Sequence, residues 1–394
     1  MSEVVIVGAG LGGFRVARSL RDAGFTGAVT VVGDETHLPY DRPPLSKQLL
    51  AGTFAPEQCR LAGETGDIEW VLGRAALGAD LEERRLILED GSVLGFDHLV
   101  VATGRRARPW PCPTPAGVHT LRSLGDVAAF DADLVDATSV VIIGAGFVGC
   151  EAAATLRGRG LDVTVIDTQE LPMPVIGRAA GAAAKRLHEE HGVRWRLGEG
   201  VAGFEGAPHV SAVRLASGEL LRADAVLVSI GSLPNTEWLE GTRAASIAGV
   251  LPVTGEGEVI GEDGAAIPGL WAVGDVAAWA HPHSPGPVCI EHWSNARDMA
   301  AAVATNILAE MEGRPHERKA LSSVPSFWSD QYDVKFKSVG LLRAADELVV
   351  VEEAPERHGL LVEARAGGRV VGAITLNMPR AILTYQRELR ALPA

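Results

Sequence analysis

Unbroken apolar runs recur along this chain, and each stops at a glycine or an acid. Val4–Val7 run into Gly8-Ala9-Gly10-Leu11-Gly12-Gly13, and V-V-I-I at 140–143 runs into Gly144-Ala145-Gly146-Phe147-Val148-Gly149. V-T-V-V-G-D ends on Asp34, D-V-T-V-I-D on Asp167, and F-D-H-L-V-V-A-T-G on Ala102-Thr103-Gly104. Runs without polar alternation predict strands covered on both faces, as in a parallel sheet. The periodicity after the first glycines predicts a helix over Phe14–Ala23. A strand followed by a helix and a second strand, twice over, predicts two βαβ units.

Between these units the pattern changes. Residues 67–97 alternate short apolar runs with turn residues such as Glu89-Asp90-Gly91, which predicts a small β-meander, and a second meander carries its turn at Ser217-Gly218-Glu219. The Arg- and Pro-rich stretch 105–117 reads as a linker. Two prolines at 43–44 predict a helix start at Leu45-Ser46-Lys47. A helix opens at Glu291-His292-Trp293 and runs to about Met311, before Gly313-Arg314-Pro315 breaks it. The last 80 or so residues alternate in short strands and close with a helix. The expected division is 1–108 with 232–312, then 109–231, then a C-terminal α+β domain over 313–394.

The glycines carry chemistry. Gly8, Gly10 and Gly13 fit G-x-G-x-x-G where strand becomes helix, and Gly144, Gly146 and Gly149 repeat it. The first glycine of each set allows the tight turn. The second lets backbone approach a pyrophosphate, and the third brings helix against strand. The helix N-terminus then offers free N–H groups to phosphate. Asp34 and Asp167, each ending a second strand, suit a ribose hydroxyl. At the second site no base adjoins Asp167 in Thr168-Gln169-Glu170, which favours NADH over NADPH unless Arg178 folds in from the later loop. Two complete fingerprints in one chain are far more specific than one.

Composition narrows the class. The formal charge of −14, from 36 basic and 50 acidic residues, argues against nucleic acid as a partner. The four cysteines, Cys59, Cys112, Cys150 and Cys289, make no C-x-x-C pair and no metal-ligand cluster, so no metal is expected. Neither a signal peptide nor a membrane span is evident, and a reducing, cytoplasmic setting is expected.

Together the two fingerprints, A-T-G at 102–104, G-S-L-P-N at 231–235 and A-V-G-D at 272–275 resemble the two-dinucleotide flavoprotein superfamily of glutathione reductase type. P-Y-D-R-P-P-L-S-K, E-H-W-S-N-A and F-W-S-D-Q-Y-D resemble, within it, the ferredoxin reductases of oxygenase systems. The resemblance implies an α/β fold of two Rossmann-like domains, one for FAD and one for NAD, plus the C-terminal α+β domain. It implies non-covalent FAD and NADH as cofactors. Gly8, Gly10, Leu11, Gly12 and Gly13 would lie at the FAD pyrophosphate, with Asp34 and Glu35 at its adenosine ribose. Arg42 and Lys47 would sit beside the flavin. Ala76, Ala102, Thr103 and Gly104 would lie near the cofactor, and Arg122 would reach it across the linker. Gly274 and Asp275, at a helix start, would meet the ribityl or phosphate region, with Glu291, His292, Trp293 and Trp328 around the ring. Gly144, Gly146, Phe147, Val148, Gly149, Asp167 and Gly231 would hold NADH.

One departure from the superfamily matters. Disulfide reductases keep C-x4-C in the helix after the first βαβ unit, whereas D-R-P-P-L-S-K-Q-L-L has no cysteine. Electrons must therefore leave the flavin directly. The resemblance pairs Lys47 with Glu151 as catalytic residues, an ammonium stabilising charge that develops on the flavin. The expected acceptor is a 2Fe–2S ferredoxin docking over the flavin edge. Its dock would be Phe327 and Trp328 with a local basic patch of Arg42, Arg297, Lys335 and Lys337. The ferredoxin would feed a Rieske dioxygenase or a cytochrome monooxygenase, the reductase being a monomer or homodimer. Rival readings are a rubredoxin reductase, an NADH oxidase, and a redox-sensing interaction protein of apoptosis-inducing-factor type.

Overall fold

The computed structural model describes residues 2–63, 66–282, 284 and 286–391. Two parallel sheets organise it. In the first, Glu3–Val7 lies between Ala28–Gly33 and His98–Val101, parallel to both. Ala266–Ala272 extends the sheet beyond His98–Val101 in parallel, and Glu258–Ile260 closes that edge antiparallel. Val4, Val5 and Ile6 are fully buried, as the unalternated run requires. Helices Leu11–Asp22 and Trp293–Met311 pack against one another over this sheet.

The second sheet is wholly parallel. Its order is Arg194–Leu197, Asp162–Asp167, Ser139–Ile143, Ala225–Val228, Val118–His119. Helix Phe147–Gly158 follows the central strand just as Leu11–Asp22 follows its counterpart. The third sheet is antiparallel, built from Ser326–Gln331, Val334–Gly340, Arg369–Leu376, Gly359–Ala366 and Glu347–Ala354. One face packs on helix Gly177–Glu190 through Ala180, Ala184 and Leu187, the other on the closing helix Pro379–Ala391.

Three details differ from the sequence reading. The first helix opens at Leu11, three residues before Phe14, because Gly10 already serves as its N-cap. Residues 67–97 are not one meander: Glu69–Leu72 joins the first parallel sheet beside Ala28–Gly33, and only Ala76–Asp80, Arg85–Leu88 and Val93–Gly95 form the antiparallel ribbon. The linker is partly strand, since Arg105–Ala107 pairs antiparallel with Ser232–Pro234. Among the described residues no helix is long and apolar enough to cross a membrane.

Candidate functional site

Both glycine turns have the same construction. Gly8 has φ +118°, and a Cβ there would lie 2.2 Å from the Ala102 carbonyl oxygen. A Cβ on Gly13 would lie 2.0 Å from the Gly8 carbonyl oxygen, so helix and strand touch as only glycine allows. Gly144 and Gly149 repeat this against Ser229 and Gly144 at 2.1 Å each. Gly10 and Gly146 are different: a Cβ on either would meet nothing within 4 Å. Both are helix N-caps without a side-chain cap. They leave space just where first-turn N–H groups seek acceptors.

The two helix starts open into one cleft of about 690 Å³, a size typical of cofactor sites. Gly8, Gly10, Leu11 and Gly12 line it from the first unit, and Gly146, Phe147, Val148 and Gly231 from the second. Asp34, Glu35, Arg42, Lys47, Ala102, Thr103, Gly104 and Arg122 line it, as do Gly274, Asp275, Glu291, His292, Trp293 and Trp328. Gly13, Gly144 and Gly149 lie behind the lining, where their role is close packing. Asp167 is also behind it. Its carboxylate accepts the N–H of Ala145 at 2.6 Å and of Gln169 at 2.8 Å, which ties the second glycine turn to its strand. Arg178 is paired with Glu170 at 3.5 Å, both exposed. Ala76 stands apart, opposite Leu88 in the antiparallel ribbon. Asp275 lies in a single 3-10 turn, Gly274–Val276, and the long helix starts at Trp293.

Charged groups in the cleft are held by one another. Arg42 donates to Glu35 at 2.8 Å and to the Arg122 carbonyl, while the Tyr40 hydroxyl donates to Glu35 at 2.5 Å. Arg122 faces Asp275 at 3.3 Å, and Arg105 faces Glu291 at 3.2 Å. Burial lifts the Asp275 carboxyl above its usual range, with Arg122 opposing. Burial and the Arg343 charge push the His292 imidazole down to about 4, so the ring is neutral. Its Nδ1 is buried with no hydrogen-bond partner among the described residues, an orphan that a bound ligand group would satisfy.

At the centre, Lys47 donates to Glu151 at 2.8 Å, with side chains 12% and 8% exposed. A π-turn over Leu45–Leu49 delivers Lys47, and the second glycine helix delivers Glu151. The sequence reading missed what surrounds them. Ser46 donates to the same Glu151 oxygen at 2.5 Å, and Ser329 to the other at 2.7 Å. Ser46 was adjacent to a named lysine. Ser329 comes from the third sheet and had no local signal.

A cysteine also lines the cleft, unannounced by any motif. Cys289 donates from Sγ to the Asp275 carbonyl oxygen at 3.2 Å, and burial pushes its thiol up to about 12. Its desolvation disfavours the thiolate, which is the reactive form. Cys59 is buried at the end of a 3-10 turn.

At the rim, Trp328 is 40% exposed and meets Trp293 edge-on, centroids 6.3 Å apart. Arg297 lies over the Trp293 ring at 5.6 Å and pairs with Asp298. Lys337 stands opposite Trp328 on the neighbouring strand, whereas Lys335 stands opposite Asp330. Arg42, one of the four cations expected at a dock, is turned inward on Glu35.

The cleft fits an extended dinucleotide: two open glycine cradles, uncapped helix starts and an orphaned imidazole. The family described as pyridine nucleotide-disulphide oxidoreductase matches residues 2–300, and one described as reductase C-terminal matches 326–391. Rhodocoxin reductase of Rhodococcus erythropolis is 36% identical over 397 residues, covering 98% of this chain and 89% of that protein. The ferredoxin reductase component of chlorobenzene dioxygenase from Cupriavidus sp. (strain PS12) is 35% identical over 399 residues, covering 100% and 93%. Among solved structures, putidaredoxin reductase in its covalent complex with putidaredoxin superposes with a TM-score of 0.90 at 31% identity, covering 99% and 93%.

Proposed function

Because this chain belongs to the pyridine nucleotide-disulphide oxidoreductase family, we propose that it is an FAD-dependent NADH:ferredoxin oxidoreductase serving a dioxygenase or monooxygenase. Bound FAD supplies the redox chemistry, taking two electrons as a hydride from NADH and releasing them singly. One observation carries the reading: a single cleft joins two open glycine cradles to an exposed tryptophan rim, and the one cysteine lining it among the described residues, Cys289, has no second cysteine to pair with. No dithiol stands between cofactor and exterior.

This chain's residues then have the following roles. Gly10 with Leu11 and Gly12 binds the FAD pyrophosphate, and Gly146 with Phe147 and Val148 receives NADH. Asp34 and Glu35 take the adenosine end, while Arg122 and Asp275 hold the middle of the cofactor. Lys47, fixed by Glu151, presents its ammonium to the flavin ring and offsets negative charge there. Asp167, which also braces the second glycine turn, takes the ribose hydroxyl of NADH. The domain division is 1–108 with 232–312 for FAD, 109–231 for NADH, and 313–394 closing the cleft with Trp328. The partner is a 2Fe–2S ferredoxin, which docks over Trp328 and Trp293 with Arg297, over the Trp293 ring, and Lys337, opposite Trp328, as its cations.

The test is stopped-flow reduction of the flavin by NADH, followed by reoxidation with a 2Fe–2S ferredoxin, a rubredoxin or oxygen in turn. Fast reoxidation by ferredoxin and slow reaction with oxygen is expected. Rapid turnover with oxygen alone would make the protein an oxidase and overturn the proposal.

A further inference from the structure

The strand Ser326–Gln331 carries its polarity in reverse. Trp328 is exposed, while Ser329 and Gln331 are wholly buried. His188, on the helix behind, is also wholly buried. Polar groups in such positions cost stability unless they are bonded, and these are bonded in a chain whose direction can be worked out. Gln331 Oε1 only accepts, so its 2.9 Å contact with His188 Nε2 puts the imidazole proton on that nitrogen. His188 Nδ1 is then an acceptor, and the Tyr332 hydroxyl donates to it at 3.3 Å. Gln331 Nε2 donates to Ser329 Oγ at 3.0 Å, which leaves the Ser329 hydroxyl proton for Glu151 Oε1 at 2.7 Å. Every hydrogen in the series points toward Glu151. Burial pushes the His188 ring down to about 4, so it stays in the neutral form that the series needs. Aligned donors of this kind polarise one another.

We propose that Gln331 and His188 are positioning residues for the Lys47–Glu151 pair: the donor series from Tyr332 to Ser329 pins one Glu151 oxygen, so that the other holds the Lys47 ammonium at a fixed place in the cleft. The proposal rests on the reading that Lys47 lies beside the flavin. It gives the buried side of W-S-D-Q-Y a purpose that an exposed tryptophan does not explain.

The test uses the holoenzyme and reads two quantities, the midpoint potential of the bound flavin and its rate of reduction by NADH. Gln331→Leu and His188→Leu each move the potential negative and slow reduction about 10-fold, the loss of roughly one hydrogen bond's worth of positioning. The double variant is no worse than either single one, because both cut the same series. His188→Gln keeps an N–H near the Nε2 position and restores both readouts. Ser329→Ala cuts the last link with the loss of one oxygen and reproduces the shift should a leucine variant fail to fold. Lys47→Met separates the two ideas. If it leaves potential and rate unchanged, the reading of Lys47 is wrong. If it shifts both while Ser329→Ala, Gln331→Leu and His188→Leu do not, the positioning role is overturned and the reading of Lys47 stands.

Discussion

Gly10→Ala separates a cofactor cradle from an ordinary tight turn. Gly10 sits at φ −85° and ψ −165°, a conformation open to any L residue, and a Cβ there meets no protein atom within 4 Å. The apo fold should therefore tolerate alanine, or gain about 0.4–1 kcal/mol from a less flexible unfolded chain. Gly13→Ala, three residues on, must push a methyl into the Gly8 carbonyl 2.0 Å away, and overpacking of this sort costs about 1–3 kcal/mol or more. The methyl of Gly10→Ala instead occupies the space a pyrophosphate needs in order to reach the helix N–H groups. Loss of one charge-assisted hydrogen bond, about 1.5–3 kcal/mol, weakens FAD binding roughly 10- to 150-fold. The assay is FAD titration of apo-protein by fluorescence quenching, paired with urea unfolding of the same apo samples. Gly10→Ala should lose FAD affinity at unchanged or raised apo stability, and Gly13→Ala should lose both. If Gly10→Ala binds FAD as tightly as the parent, the pyrophosphate does not sit there.

Three further outcomes are expected. Lys47→Met leaves Glu151 with two hydroxyl donors and no countercharge. It should destabilise the fold by about 3 kcal/mol and slow flavin reduction by NADH about 100-fold; unchanged reduction kinetics would refute its role. The His188 imidazole falls from 6.5 to about 4 on folding, so between these values the unfolded chain binds the extra proton and stability drops as pH falls through the window. That site contributes up to about 3 kcal/mol of loss by pH 4, and His188→Gln should lose correspondingly less between pH 7 and 4 in urea titrations. Charge reversal at Lys337 should raise the KM for ferredoxin and flatten its salt dependence with ferricyanide turnover intact; equal salt slopes in parent and variant would place the dock elsewhere.

How legible was all this in the sequence? Strands such as Val4–Val7 and Val140–Ile143 were plain, because an apolar run that stops at glycine has few other uses. The glycine cradles were equally local. Lys47 and Glu151 were named from a resemblance, yet their 2.8 Å contact joins residues 104 positions apart, which no periodicity reports. Ser329 lies 178 positions from Glu151 and looks like any polar residue on a strand until its neighbour Trp328 is seen to face outward. Glu69–Leu72 was assigned to the meander because its apolar run resembles those beside it, and only pairing with Ala28–Gly33 shows which sheet it extends. Asp167 was read as a direct ribose ligand because an acid at a strand end suits one. Its two oxygens also accept the backbone N–H groups of Ala145 and Gln169, a brace on the second glycine turn that the strand-end pattern does not report.

The pairing of Arg105–Ala107 with Ser232–Pro234 bears on how such a protein can be remade. Ala107 and Ser232 are direct partners on a two-stranded ladder, so the segment between them leaves and returns at nearly one point. The first sheet takes its strands from 3–101 and from 258–272 and needs nothing from inside that loop. The segment between Ala107 and Ser232 thus leaves and rejoins the first sheet's unit at adjoining ends, while its buried core also takes in Tyr40, Leu45, Leu50 and Cys59. Another nucleotide-binding unit of matching end spacing could be grafted on the same ladder, its reductant preference exchanged wholesale while the first cradle stays in its own sheet. The Ser46, Lys47 and Ser329 contacts to Glu151 mark where such a graft must keep one carboxylate.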